Sequence, residues 1–162
     1  MPLPIKAVIF DWGDTLMRDH PEKPGPMYQW DVVSVMEGAE FLLPYLSKKY
    51  LLAVATNAGC SNTEAMVSAL QRVEIADYFS RFWSSIDLGV AKPDPRFFLS
   101  ICNQLGIEPG QCVMVGNSYE KDIVGACRAG LQTILYNPDN FPGPFPMAGH
   151  VVVNLTDIID IL

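Results

Sequence analysis

Long hydrophobic runs are missing from this 162-residue chain. Its longest apolar stretches are strand-sized, well short of the roughly 20 residues a spanning helix needs, so no membrane partner is expected. Positive charge is also scarce: 11 Lys and Arg stand against 18 Asp and Glu, a net charge of −7. That balance argues against a general nucleic-acid or anionic-membrane surface, while leaving room for a local positive site. The four cysteines, Cys60, Cys102, Cys112 and Cys127, form no Cys-x-x-Cys pair. Nor do they make a metal-ligand pattern with His20 or His150, so they read as reduced, mostly buried thiols of a cytoplasmic protein. Lys6 near the amino terminus follows no apolar signal core, and secretion is not expected. There is no internal repeat and no low-complexity tract.

What is present is a globular composition, 49% hydrophobic and 18% charged, of a size that suits a single domain spanning 1–162. Ala7, Val8, Ile9 and Phe10 form a short apolar run of the kind a buried parallel strand shows. It stops at Asp11, followed by Trp12, Gly13, Asp14 and Thr15. A Pro-rich loop follows over 18–30, carrying Arg18, Asp19, His20 and Lys23, which reads as solvated. Residues 38–50 read as a helix in which Pro44 forces a late start or a kink.

A second buried strand, 51–55, ends in Thr56 and Asn57, and 61–73 is an amphipathic helix. A weaker strand at 82–86 leads to the loop that holds Lys92, and 95–105 is a helix capped by Gly106. Residues 112–115 make a third clear strand, ending at Gly116, Asn117 and Ser118. A helix over 122–129 closes at Gly130, a strand follows at 131–136, and 137–149 is loop. An edge strand at 151–155 and a short helix at 157–162 complete the reading.

Strands alternating with helices throughout predict an α/β fold, a doubly wound parallel sheet. Right-handed crossovers then put every strand's carboxyl end on one rim, where such sheets bind ligands. Asp11, Thr56, Lys92, Asn117 and Asp122 all follow strands and so converge. Asp11 and Asp122, with a backbone carbonyl and water, suit Mg²⁺. Thr56 and Asn57 offer hydroxyl and backbone donors to phosphate oxygens, and Lys92 neutralises charge on a phosphoryl group. Asp11 can serve as a nucleophile that forms an aspartyl-phosphate. Singly, each residue has a plain structural use: Thr56 and Asn57 as turn caps, Lys92 at the surface, Asp122 at a helix start. Together on one rim they point to chemistry.

The motifs resemble those of the haloacid dehalogenase (HAD) superfamily, in order and over nearly the full length. VIFDWGDTL is similar to the nucleophile motif, with Asp11 as nucleophile, and AVATNAG to the second, with Thr56 as the phosphate-binding hydroxyl. GVAKPDPRFF resembles the third, with Lys92 holding nucleophile and phosphate. VMVGNSYEKDIVGACRAG resembles the fourth, with Asn117 and Asp122 in metal-supporting positions. The resemblance implies a HAD-like Rossmannoid core and Mg²⁺ held by Asp11, the Gly13 carbonyl, Asn117 and Asp122. It also implies phosphate-ester hydrolysis.

Two departures stand out. The family's phosphatases usually place a second Asp two residues after the nucleophile as acid/base. Here that position is Gly13, and the carboxylate is displaced to Asp14, either a surrogate acid or a turn residue. A site lacking that acid favours aryl or acyl phosphates over sugar phosphates, because an alkoxide hardly leaves without a proton. Asn117 stands where Asp is common.

The short 18–30 loop in place of a cap domain resembles small capless members. Such an open site suits a large phosphorylated substrate, or a partner subunit that closes it; a homo-oligomer is also allowed. Three rival readings remain: a metal-independent dehalogenase, which needs no acid at Gly13; a non-catalytic phosphate- or phosphoprotein-binding domain; and a receiver-type signalling domain. In the last, the phosphorylated Asp follows a central strand, whereas Asp11 follows the first strand of the chain.

Overall fold

The computed structural model describes residues 3–162. Six strands form one sheet: β1 (Ala7–Phe10), β2 (Leu51–Thr56), β3 (Arg81–Ser84), β4 (Cys112–Gly116), β5 (Gln132–Tyr136) and β6 (His150–Val152). Their spatial order is β3-β2-β1-β4-β5-β6, and every neighbouring pair is parallel. The strand order reverses between β1 and β4, and the crevice at such a switch point is where open α/β sheets take ligands. Phe10 aligns with Val54 of β2 and Val115 of β4, so Asp11 leaves the sheet at its centre. That removes one expected contrast, because the first strand of the chain is itself central. The 3-2-1-4-5 order, against the 2-1-3-4-5 order of receiver domains, makes the distinction instead.

Side chains alternate across β1. Val8 and Phe10 enter a core formed with helices α1 (Ala39–Ser47) and α2 (Thr63–Arg72) and the closing 3₁₀ turn Leu155–Asp160. Ala7 and Ile9 face the other layer, where Ala53 and Ala55 leave room for Phe97, Phe98 and Ile101 of α4 (Pro95–Leu105). Burying a side chain such as Phe98 contributes on the order of 2–3 kcal/mol, enough to hold the short strands between the helices. Between β3 and α4 lies a single turn, α3 (Ser85–Leu88).

Several boundaries differ from expectation for local reasons. Helix α1 does not start late; it begins at Ala39 after Gly38, whose φ of 91° lets the chain turn in, and Pro44 sits inside it. The helix after β4 starts earlier than expected, as a π-helical turn over Tyr119–Val124 capped by the Ser118 hydroxyl, and becomes α5 (Gly125–Arg128). β3 ends at Ser84, where an Asp87 capping box opens α3. The last segment folds as a 3₁₀ turn two residues ahead of the expected helix. The thiols are free, but Cys60 is exposed and Cys127 half-buried, so only Cys102 and Cys112 are the core residues expected.

Candidate active site

Asp11 stays tied to the sheet by its N–H, which donates to the Val115 carbonyl at 2.9 Å. The chain then winds one turn, with the N–H groups of Leu16 and Met17 both donating to the Trp12 carbonyl (2.8 and 3.2 Å). That turn places the fully buried Thr15 beneath Asp11. The Thr15 hydroxyl lies 3.4 Å from Asp11 Oδ2 and 3.2 Å from Asn117 Oδ1, and its one proton serves either acceptor at the ends of β1 and β4. Sequence reasoning missed Thr15. The signal available was a hydroxyl four residues after the acid, one helical turn away.

Lys92 arrives from the β3–α4 connection and spends all three ammonium protons. Its Nζ donates to Asp11 Oδ1 at 2.8 Å, Asp122 Oδ1 at 2.7 Å and the Ala55 carbonyl at 3.1 Å. Burial opposes the Lys92 charge, yet the Asp11 and Asp122 carboxylates outweigh it and hold its pKa above the ordinary lysine value. For Asp122 the balance falls the other way: burial, then the Asp11 charge, push it up to about 6 despite Lys92. With an ammonium at 2.7 Å and the Ser118 N–H at 3.0 Å, Asp122 is ionised at neutral pH.

Glycines make this approach feasible. A Cβ on Gly116 would collide with the Asp122 carboxylate, and one on Gly125 would stand 2.5 Å from the Pro93 carbonyl. Asn57 fixes the same loop from the other side. Its Oδ1 accepts the Lys92 N–H at 2.8 Å and its Nδ2 donates to the Lys92 carbonyl at 3.0 Å. The Asn57 side chain therefore holds Lys92, leaving only its backbone for a ligand.

The structure thus brings together Asp11, Thr15, Lys92, Asn117 and Asp122. Thr56 and Gly13 line an adjoining cavity of about 320 Å³, walled by Trp12, Asp19, His20, Lys23, Trp30 and Cys60. Asp14 lies to the side. Its φ is 58°, its Oδ1 accepts the Asp19 N–H at 2.9 Å, and it lines a neighbouring cleft of about 620 Å³ with Arg18, Asn117 and Tyr136. The loop read as solvated is largely exposed, Arg18 and Asp19 included, and it also walls the cavity through Asp19, His20, Lys23 and Trp30. Residues 16–18 pair with 34–36 (Arg18 N–H to the Ser34 carbonyl, 3.0 Å), and Arg72 donates to the carbonyls of Tyr28, Trp30 and Asp31.

Among the described residues no three His, Cys, Asp or Glu side chains cluster as a metal site. The oxygen set here is of another kind: the Asp11 carboxylate, the Asn117 amide oxygen and the Gly13 carbonyl, which accepts no hydrogen bond among the described residues. Few carboxylates, a free carbonyl and room for water fit Mg²⁺. Asp122, 1% exposed, stands behind Lys92.

A family model for haloacid dehalogenase-like hydrolases matches residues 25–130. The chain belongs to that family. It is 35% identical over 98 residues to a glyceraldehyde 3-phosphate phosphatase of Methanothermobacter thermautotrophicus, covering 60% of this chain and 42% of that protein. It is 29% identical over 129 residues to (S)-2-haloacid dehalogenase 4A of Burkholderia cepacia, covering 78% of this chain and 54% of that one. The chain therefore spans about half the length of these curated relatives. An uncharacterized protein from Listeria monocytogenes serotype 4b, of solved structure, superposes with a TM-score of 0.84 at 29% identity. That match covers 97% of this haloacid dehalogenase-like chain and 96% of the other. Among the described residues no helix is long and apolar enough to cross a membrane.

Proposed function

We propose that this hydrolase is a Mg²⁺-dependent phosphomonoester phosphatase working through an aspartyl-phosphate on Asp11, in the cytoplasm. The observation that carries the reading is Lys92 Nζ held at once by Asp11 Oδ1 (2.8 Å) and Asp122 Oδ1 (2.7 Å), with Asp11 one residue from the Trp12–Gly13 wall of the cavity. Asp122 fixes the ammonium, so its charge stays beside the nucleophile without swinging away. The Asp11 side chain is 13% exposed, and Thr56, which lines the cavity, has its hydroxyl donating to the Asn57 carbonyl at 3.3 Å, a bond that a phosphate oxygen would replace. Positioning and charge neutralisation of this sort carry most of phosphoryl transfer. Bound Mg²⁺ would supply further neutralisation of the phosphoryl oxygens, held by Asp11, the Gly13 carbonyl and Asn117, with Asp122 in support. The single domain carries no cap in this reading. The 18–34 segment forms only one wall, and the adjoining clefts leave room for a large phosphorylated substrate or a closing second subunit.

The test is phosphate release from a panel of phosphomonoesters with Mg²⁺ and with chelator. Asp11→Asn should lower turnover by about 10⁴-fold or more while leaving the melting curve near that of the wild type. Ordinary activity in that variant would end the assignment. A second reading, a metal-independent dehalogenase, draws on the Burkholderia cepacia relative and on Gly13, which offers no side-chain acid. Halide release from a 2-haloacid, indifferent to chelator and without phosphate release from any ester, would favour it.

A further inference from the structure

We infer that Asp19 is the proton donor and acceptor of this site, doing from the 18–34 segment what no side chain at residue 13 can do. The inference rests on the phosphatase reading above. Transfer of a phosphoryl group from an alkyl ester needs a proton for the departing oxygen and later a base for the attacking water. Three acids besides Asp11 stand at this end of the sheet, and two are placed against the role. Asp122 is buried and takes up Lys92 and the Ser118 N–H. Asp14 Oδ1 accepts the Asp19 N–H, and the residue lines the neighbouring cleft but not the cavity of Gly13 and Thr56.

Asp19 is different. Its side chain borders the space that glycine leaves open: a Cβ built on Gly13 would stand 3.5 Å from Asp19 Cβ and 3.7 Å from Asp19 Oδ2, in ordinary van der Waals contact. It lines the cavity of Gly13 and Thr56 as well as the neighbouring cleft of Asp14 and Asn117. It is also held in place. Asp14 Oδ1 accepts its N–H at 2.9 Å, and the preceding Arg18 N–H pairs with the Ser34 carbonyl at 3.0 Å. Its own Oδ1 accepts the His20 N–H at 2.8 Å, whereas Oδ2 accepts no hydrogen bond among the described residues. His20, the other group of suitable chemistry in the cavity, has its Nδ1 against Glu22 at 3.3 Å and its ring edge-on to Trp30.

The step balances. An Asp11 oxygen attacks phosphorus and the P–O ester bond breaks; the departing oxygen keeps the bonding pair and takes the proton of the Asp19 carboxylic acid. The Asp19 carboxylate then takes a proton from water as the water oxygen attacks the aspartyl-phosphate. The P–O bond to Asp11 breaks, returning both carboxyl groups to their starting forms and releasing phosphate.

The experiment is kcat/KM for aryl and alkyl phosphates, with Mg²⁺, in the wild type and in Asp19→Asn. Expected is a loss of about 100-fold or more on alkyl phosphates and less than about fivefold on aryl ones. Adding Gly13→Asp to Asp19→Asn should restore alkyl turnover at least about tenfold. Gly13 has no positive φ, and its nearest neighbour for a Cβ is Asp19 itself, so the site can take the side chain. An equal loss on both ester classes, no loss at all, or an alkyl-specific loss in Asp14→Asn instead would overturn the assignment. Absence of phosphate release by the wild type from every ester would remove the phosphatase reading and this one with it.

Discussion

The two sides of the site are built on opposite principles. The Lys92 side is a closed knot: an ammonium 3% exposed, three acceptors within 3.1 Å, and an asparagine clasping the backbone behind it. The 18–34 side is a strap on the surface, joined to the sheet layer by a short ladder and tethered at its far end by the exposed Arg72. The knot holds buried charges, which are stable only when every partner is in place. Apart from Met27, which is buried in the core, the strap holds mostly polar groups that water can also satisfy. Under the function proposed above, the knot would set the reaction and the strap the leaving groups it accepts.

The largest effect should come from opening the knot. Lys92→Met strands Asp11 and Asp122 facing each other, with Asp122 1% exposed. Removal of one member of a buried ion pair costs about 3–5 kcal/mol, and activity should fall by about 10³-fold or more. Denaturant unfolding and phosphate release check both halves. If stability fell by less than about 1 kcal/mol, the knot would not be the closed unit described.

A smaller effect separates the knot's two partners. The Asp122 pKa is raised to about 6 in the folded chain from an ordinary 3.8, so between those values the folded state binds the extra proton. Stability then falls as pH rises through that window, the reverse of an ordinary paired carboxylate. Measured with chelator, the stability of the wild type relative to Asp122→Asn should drop by up to about 3 kcal/mol between pH 4 and pH 7, at about 1.4 kcal/mol per unit. A rise instead would mean that attraction to Lys92 outweighs the burial of Asp122.

The smallest effect belongs to the strap. Arg72→Ala removes three carbonyl contacts at an exposed site and should lower stability by about 1 kcal/mol. KM should rise about three- to tenfold with kcat on aryl phosphates within about twofold. A fall in kcat alone would show that the strap reaches into the knot.

Much of this was legible from residue order. The apolar runs ending in Asp11, Thr56 and Gly116 mark buried strands, because parallel strands covered on both faces leave no polar position until they exit the sheet. Lys92 was legible through its motif. Asn57 was legible as a site residue but not as a clasp, since its partner lies 35 positions away. Asp19 looked like one more charged residue in a Pro-rich loop. No local pattern ties it to Gly13; only the ladder between 16–18 and 34–36 does.

By itself the sequence determined the doubly wound sheet, the rim on which Asp11, Thr56, Lys92, Asn117 and Asp122 meet, and the absence of a side chain at residue 13. Those follow from periodicity and strand ends, which are local properties of the chain. Tertiary structure decided the rest: that Asp122 faces Lys92, that Asp14 turns to the Asp19 N–H, and that Asp19 lies beside Gly13. Each of those depends on which of several equivalent carboxylates lies nearest a given charge or gap. That is settled by distances across the fold, and distances across the fold are not written in residue order.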